Sequence, residues 1–342
     1  MKLTSILLFS IIALSISCRQ NNYSATDHPE FQNKDIPKAM LLADSSKMNR
    51  GLAYLDSSYA RLNSPSWGDQ LALYTSKTHI LFFRGSGEAA IDSALGYADS
   101  ALNFIDKNNL ISKYRQEYIS LLFHQGDILL NKDKYEDAYA SFYKAKQLLD
   151  QGRTACEQAN FYAHLGLIYY RQGKYYNASQ LFKQSFKNGK TCPENFLDFS
   201  HNQGALDNAG LSFLKLKMLD SAMHYFKLAQ HYVHQRASLY RDKKVFMTEA
   251  NGVILQNIGD TYFELFDFNQ AEQFYLSSIK TSEKDYRLNP IAMQSAIRLA
   301  KLYIQTGRLE MGRGYLQTAK MMLKNNLLDP VSIDKATVFW NK

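Results

Sequence analysis

Only six prolines occur in 342 residues. Proline breaks helix interiors, so little in this chain opposes long helices, and an all-helical protein is expected. No run of five like charges occurs, and lysine and arginine are interspersed with aspartate and glutamate. The net charge of +8 therefore reads as a solvated helical surface rather than an arm for nucleic acid or anionic lipid. A phosphate-cradling loop is missing, since Gly166 to Gly173-Lys174 has the wrong spacing. There is no His-Glu-x-x-His. Ser141 to Lys144 matches Ser-x-x-Lys, but Phe142 between them belongs to a helical core pattern. His231 and His234 share a helix face without a nearby third ligand. An enzyme, a cofactor and a metal site are accordingly not expected.

Only one apolar stretch is long, and it lies at the N-terminus. Lys2 gives a positive start, and Leu3 to Ile16 is too short to span a bilayer but suits a signal-peptide core. Ser17-Cys18 follows. A small residue before a cysteine at this place resembles the bacterial lipobox, which implies lipidation of Cys18 and a mature chain beginning there. The match departs from the usual pattern: Leu14 stands four before the cysteine and Ser15 takes the place usually held by leucine. The other reading is an ordinary signal peptide with an incidental cysteine. The polar stretch 19–35, RQNNYSATDHPEFQNKD, favours the lipoprotein, because it reads as a flexible tether.

What the chain does contain is a recurrence of size. Small anchors stand at Gly126, Gly166, Gly210, Gly259 and Ala300. Three residues on comes a large apolar residue: Leu129, Tyr169, Phe213, Tyr262 and Tyr303. Twelve on comes Ala138, Ala178, Ala222, Ala271 or Gly312. Sixteen on comes Phe142, Phe182, Phe226, Tyr275 or Leu316, and nineteen on Ala145, Ser185, Ala229, Ser278 or Ala319. The later trio follows i, i+4, i+7, one face of a helix. Each unit is thus two antiparallel helices: small residues allow close approach and large ones fill the space between. Asn131-Lys132-Asp133, Gly173 and Gly307 fall where the helices must turn. One such hairpin cannot bury both its faces, so neighbours stack. The 13% aromatic content is explained by these columns, not by a platform for stacking bases.

The pattern resembles the tetratricopeptide repeat family, with FYAHLGLIYYRQGKYYNASQLFKQSF at 161–186 the plainest unit. The resemblance implies an all-α solenoid of helical hairpins wound as a right-handed superhelix. The anchors are 40, 44, 49 and 41 residues apart, whereas the family period is about 34, so the repeats are long and uneven. The expected organisation is a signal peptide at 1–18, the tether at 19–35, a helical region at 36–110 with a divergent repeat, five repeats at 111–330, and a capping helix at 331–342 begun by Ser332. Residues 71–83 would form the first helix of the divergent repeat, and 38–62 one more helical pair.

In this family the residues two before and one after the anchor face the concave groove. The resemblance therefore implies a row of His124, His164, Asn208, Asn257 and Arg298, joined by Asp127, Asp260 and Lys301. An amide carries both a donor and an acceptor, so Asn208 and Asn257 suit the main chain of a bound peptide. Arg298 and Lys301 lie one turn apart and suit a carboxylate. The full carboxylate-clamp set of the chaperone-binding members is missing.

Cys156 and Cys192 flank the two helices of one repeat and sit at the same end of that hairpin. In an exported chain they either pair as a disulfide or remain two free thiols. The function expected is a non-enzymatic scaffold in the envelope of a Gram-negative bacterium, outer membrane or periplasm, held by lipid and binding a peptide or helix of a protein partner. Other readings are outer-membrane barrel assembly, glycan capture in nutrient uptake, and a sensor module of a signalling system.

Overall fold

The computed structural model describes residues 27–43, 48–85, 87–150, 155–192, 194–282 and 289–325. The signal segment with Cys18, the tether up to residue 26, and the expected cap from Ser332 to Trp340 lie outside these residues. The fold is all-α and tetratricopeptide-like, with no strand among the described residues. The chain forms two compact units that divide between the sixth and seventh helices.

The N-terminal unit holds α1 (Ile36–Ala43), α2 (Met48–Ala60), α3 (Trp67–Arg84), α4 (Glu88–Lys107), α5 (Arg115–Asn131) and α6 (Tyr135–Asp150). The C-terminal unit holds α7 (Ala155–Arg171), α8 (Tyr175–Gly189), α9 (Phe196–Lys215), α10 (Leu219–Arg236), α11 (Lys244–Glu264), α12 (Phe268–Ser282), α13 (Asn289–Gln305) and α14 (Leu309–Asn325). The sequence grouped five repeats together; the structure places the first of them, α5–α6, in the N-terminal unit.

The anchor glycines explain the pairing of helices. A Cβ added at Gly126 would lie 2.1 Å from the Phe142 ring, and at Gly166 2.7 Å from Phe182. The same gap is 2.5 Å for Gly210 and Phe226, and 2.6 Å for Gly259 and Tyr275. Each ring is fully buried and comes from the position sixteen on, so each hairpin closes on a ring seated against a bare backbone. The turns repeat as well. Asp133, Gly173, Lys217, Phe266 and Gly307, each seven residues past its anchor, all take positive φ near 58–76°. Only glycine adopts that conformation without strain, so Lys217 and Phe266 are held there by the helices on either side.

Within the C-terminal unit each helix packs on the next, and the first helices also touch in succession: α7 on α9, α9 on α11, α11 on α13. These four form one layer, and the expected groove residues of this unit lie on it.

The stretch 27–35 is a correction. It was read as tether, but residues 31–35 form a turn of wide helix leading into α1, with Phe31 buried against Tyr59. Its polar residues satisfy a buried carboxylate: the His28 N–H (3.1 Å) and Gln32 Nε2 (3.1 Å) both donate to Asp69, and His28 Nδ1 lies 2.7 Å from it. Asp69 also forms a capping box with Ser66 at the start of α3. Burial alone would raise its pKa, yet these bonds hold it below the usual carboxylate value. The tether looked solvated because its polar partner is forty residues away in the chain.

Candidate functional site

His164 on α7, Asn208 on α9, Asn257 on α11 and Arg298 on α13 occupy equivalent places, two residues before their anchors. They do not line an open surface. Asn208 is 1% exposed, Asn257 3%, and His164 is buried with its Nδ1 2.7 Å from the Asn160 carbonyl. His124 and Asp127 sit on α5 in the N-terminal unit, half-buried and buried respectively. The other six expected residues all lie in the C-terminal unit.

Several of these side chains tie one repeat to the next. Asn257 donates to both oxygens of Asp207 at 3.0 Å, joining α11 to α9. The Nε of Arg298 donates to Asp260 at 2.9 and 3.0 Å, joining α13 to α11, and the Tyr275 hydroxyl donates to the same carboxylate at 2.7 Å. The carboxylate that Arg298 meets is therefore internal, supplied by the preceding repeat. Gln256 adds a third tie through the Ile291 carbonyl (2.5 Å) and Ser295 Oγ (2.7 Å). Lys301 remains exposed, its ammonium 4.7 Å above the Phe263 ring.

The electrostatics follow from burial. Asp207 is pushed up to about 7, because the donation from Asn257 offsets only part of the cost of desolvation. Burial also raises the Tyr170 hydroxyl, with Tyr175, Asp207 and Asp260 adding to it. For Arg298 burial opposes the charge, and the Asp260 carboxylate more than compensates.

A second set of groups joins Asn208 to four residues that the sequence pattern does not mark. The side-chain oxygens of Asn160, Gln203, Asn208, Asn251 and Gln256 are buried and accept no hydrogen bond among the described residues. All five are on α7, α9 or α11 of the same layer. Native interiors pair most such atoms, so five unpaired amide oxygens on three helices of one layer are an unusual concentration. Asp207 and Gln256 stand three before their anchors, but the same place holds Phe123, Ala163 and Ile297 in the other repeats, so no column marks them. Asn160, Gln203 and Asn251 lie further upstream, where no size column marks them.

His231 and His234 are both exposed. Cys156 and Cys192 are joined as a disulfide, S–S 2.08 Å, across the open end of the α7–α8 hairpin.

The tetratricopeptide repeat family model matches residues 159–188 and 253–285, which fall on the α7–α8 and α11–α12 hairpins. No curated protein matches the chain. Among solved structures, the chain is similar to a Rap protein complexed with competence and sporulation factor, with TM-score 0.56 and 11% identity over 88% of this chain and 79% of that one. It is also similar to apo RapI, with TM-score 0.53 and 14% identity over 85% and 97%. The apo quorum sensor NprR from B. thuringiensis gives 0.53 and 14%, over 86% and 77%. At these identities the likeness speaks to the fold. Tetratricopeptide-type repeats, stacked as helical hairpins, are what family model and neighbours share with this chain.

Proposed function

We propose that this protein is a non-enzymatic interaction scaffold whose C-terminal unit takes an extended peptide segment of a protein partner along the layer of α7, α9, α11 and α13. The observation that carries this reading is the concentration of five buried amide oxygens without donors on α7, α9 and α11. A helix spends its own N–H groups internally, whereas an extended segment presents them in a row. An extended segment is therefore a better complement than a helix. Asn208 is closed over in the free protein, so entry must part the neighbouring first helices. The Rap structure in complex with competence and sporulation factor is a fold of this kind with a bound factor, which supports the reading by analogy.

Asn208→Leu tests it. Leucine keeps the branching and heavy-atom count of asparagine but is bulkier, and Asn208 Oδ1 accepts nothing in the free protein, so the fold should persist with a loss of stability of about 1 kcal/mol or less. Capture of the partner from detergent-solubilised envelope should fall at least about tenfold, the worth of one lost buried hydrogen bond and the group left unpaired. Capture at the parent level, measured by pull-down and quantitative mass spectrometry, would reject the site.

The placement we propose is the envelope of a Gram-negative bacterium, through acyl chains on Cys18. Two lipid signals or more give stable anchoring without a spanning helix, and no helix among the described residues is long and apolar enough to cross a membrane. Cys18→Ser should move the chain from the detergent phase to the aqueous phase in a Triton X-114 partition; partition unchanged would mean that Cys18 carries no lipid.

A further inference from the structure

At the end of the α7–α8 hairpin three metal-binding side chains meet. Cys156 is the second residue of α7, Cys192 lies between α8 and α9, and Asp198 is in the first turn of α9. Their ligand atoms all lie within 4.8 Å of one another, and Cys156 Sγ is 3.8 Å from Asp198 Oδ1. All three are half-buried. The α9 cap holds the carboxylate in place: Asn195 Oδ1 accepts from the Asp198 N–H at 2.9 Å, and Asn195 Nδ2 donates to Asp198 Oδ2 at 2.5 Å. Oδ2 is thereby occupied and Oδ1 is turned to the sulfurs. No cation among the described residues pairs with Asp198. A half-buried carboxylate with one committed oxygen and no counter-charge, set beside two sulfurs, lacks a positive partner.

We propose that, when the disulfide is reduced, Cys156, Cys192 and Asp198 form a three-ligand site for a thiophilic divalent cation of the zinc class, so that disulfide and metal are alternative occupants of one place. Reduction needs a dithiol. Two electrons and two protons pass from it to the S–S bond, leaving two protein thiols and the reductant as its own disulfide. Cation binding then releases both thiol protons to solvent, and the two thiolates and Asp198 Oδ1 become ligands. Zinc takes sulfur and carboxylate ligands at about 2.0–2.3 Å in a tetrahedron, which needs the two sulfurs only to part from bonding distance to ordinary contact. Water completes the fourth position. The N-terminal end of α7 favours the Cys156 thiolate, and Asn195 is the outer-shell group that orients the carboxylate. The sequence hid this site because its ligands come from three different segments and fit no familiar spacing.

The test uses the full chain carrying Cys18→Ser, so that only the two thiols remain, with cobalt(II) as the spectroscopic probe. After phosphine reduction, one equivalent of cobalt should bind, with thiolate charge-transfer bands and the strong visible bands of a tetrahedral site. The oxidised chain should show neither. Cys156→Ser should abolish the charge-transfer signal, and Asp198→Asn should weaken affinity by at least about tenfold, both with unchanged far-ultraviolet circular dichroism. Binding without a one-equivalent endpoint, equal binding by the oxidised chain, or unaltered affinity in Asp198→Asn would overturn the proposal. None of these outcomes depends on a peptide partner.

Discussion

Gly210→Ala is expected to destabilise the protein by about 1 kcal/mol net, measured by urea denaturation. The added Cβ would sit 2.5 Å from Cε1 and 2.6 Å from Cδ1 of Phe226, a ring that is fully buried and cannot swing away. Overpacking of this kind costs about 1–3 kcal/mol. Against it stands the better helix propensity of alanine, about 1 kcal/mol. Clash exceeds propensity because the obstacle is a ring locked between helices, not the end of a flexible chain. The fifth repeat shows the remedy: its anchor is Ala300, and the residue sixteen on is Leu316 rather than an aromatic. The double variant Gly210→Ala with Phe226→Leu should therefore recover to within about 1 kcal/mol of the parent, although Phe226→Leu alone leaves a void and costs about 1–2 kcal/mol. The two changes should couple favourably by more than about 1 kcal/mol. Simple additivity would show that the gap at Gly210 is not what sets the size of its partner.

That pairing was legible in the sequence because it is written in size. A glycine and an aromatic sixteen apart, four times over, with alanine and leucine the fifth, states a steric relation inside one hairpin. It needs no knowledge of how hairpins stack. The ties between repeats are different. Asn257 and Asp207 are fifty positions apart, across the longest gap between anchors, and their meeting depends on how far α10 and the turn after it carry the chain. The same uncertainty hid the burial of Asn208 and the pairing of Arg298 with Asp260. The family resemblance turned these residues to one side of their helices, but it could not say that the next repeat would cover them.

Asp207→Asn is the second large effect, and its size depends on pH. The carboxyl titrates near 3.8 in the ordinary state and near 7 when folded. Between those values the folded chain holds a proton that the unfolded chain releases, so stability falls as pH rises from about 4 to about 7 and stays reduced above. At about 1.36 kcal/mol per pKa unit, the full effect is up to about 4 kcal/mol. An asparagine stays neutral throughout and keeps a partner in Asn257. The variant should match the parent at or below about pH 4 and exceed it by about 2–4 kcal/mol at pH 8, in thermal or urea unfolding followed across that range. A parent whose stability is flat between pH 5 and 8, or a variant with no gain at pH 8, would mean that Asp207 is better solvated than its burial indicates. Ionisation strengthens the bond that Asp207 accepts from Asn257, so the stability lost at higher pH comes from the desolvated charge and not from a weaker tie between α9 and α11.

The left-handed turn seven residues past every anchor carries one further consequence. Inside a hairpin, anchor, turn and the large residue sixteen on keep the same separations in all five repeats, while the anchors themselves are 40 to 49 residues apart. The variation in length has therefore entered outside that block, in the outer ends of the helices as well as in the connections: α9 and α11 have 20 and 21 residues where α5, α7 and α13 have 17. One residue inserted at a turn would rotate the second helix by about 100° and carry its ring off the glycine. The same residue inserted after α8 or α10 only lengthens a connection. The array is thus a modular chain with rigid words and elastic spaces, and tags, reporters or grafted loops belong in the spaces.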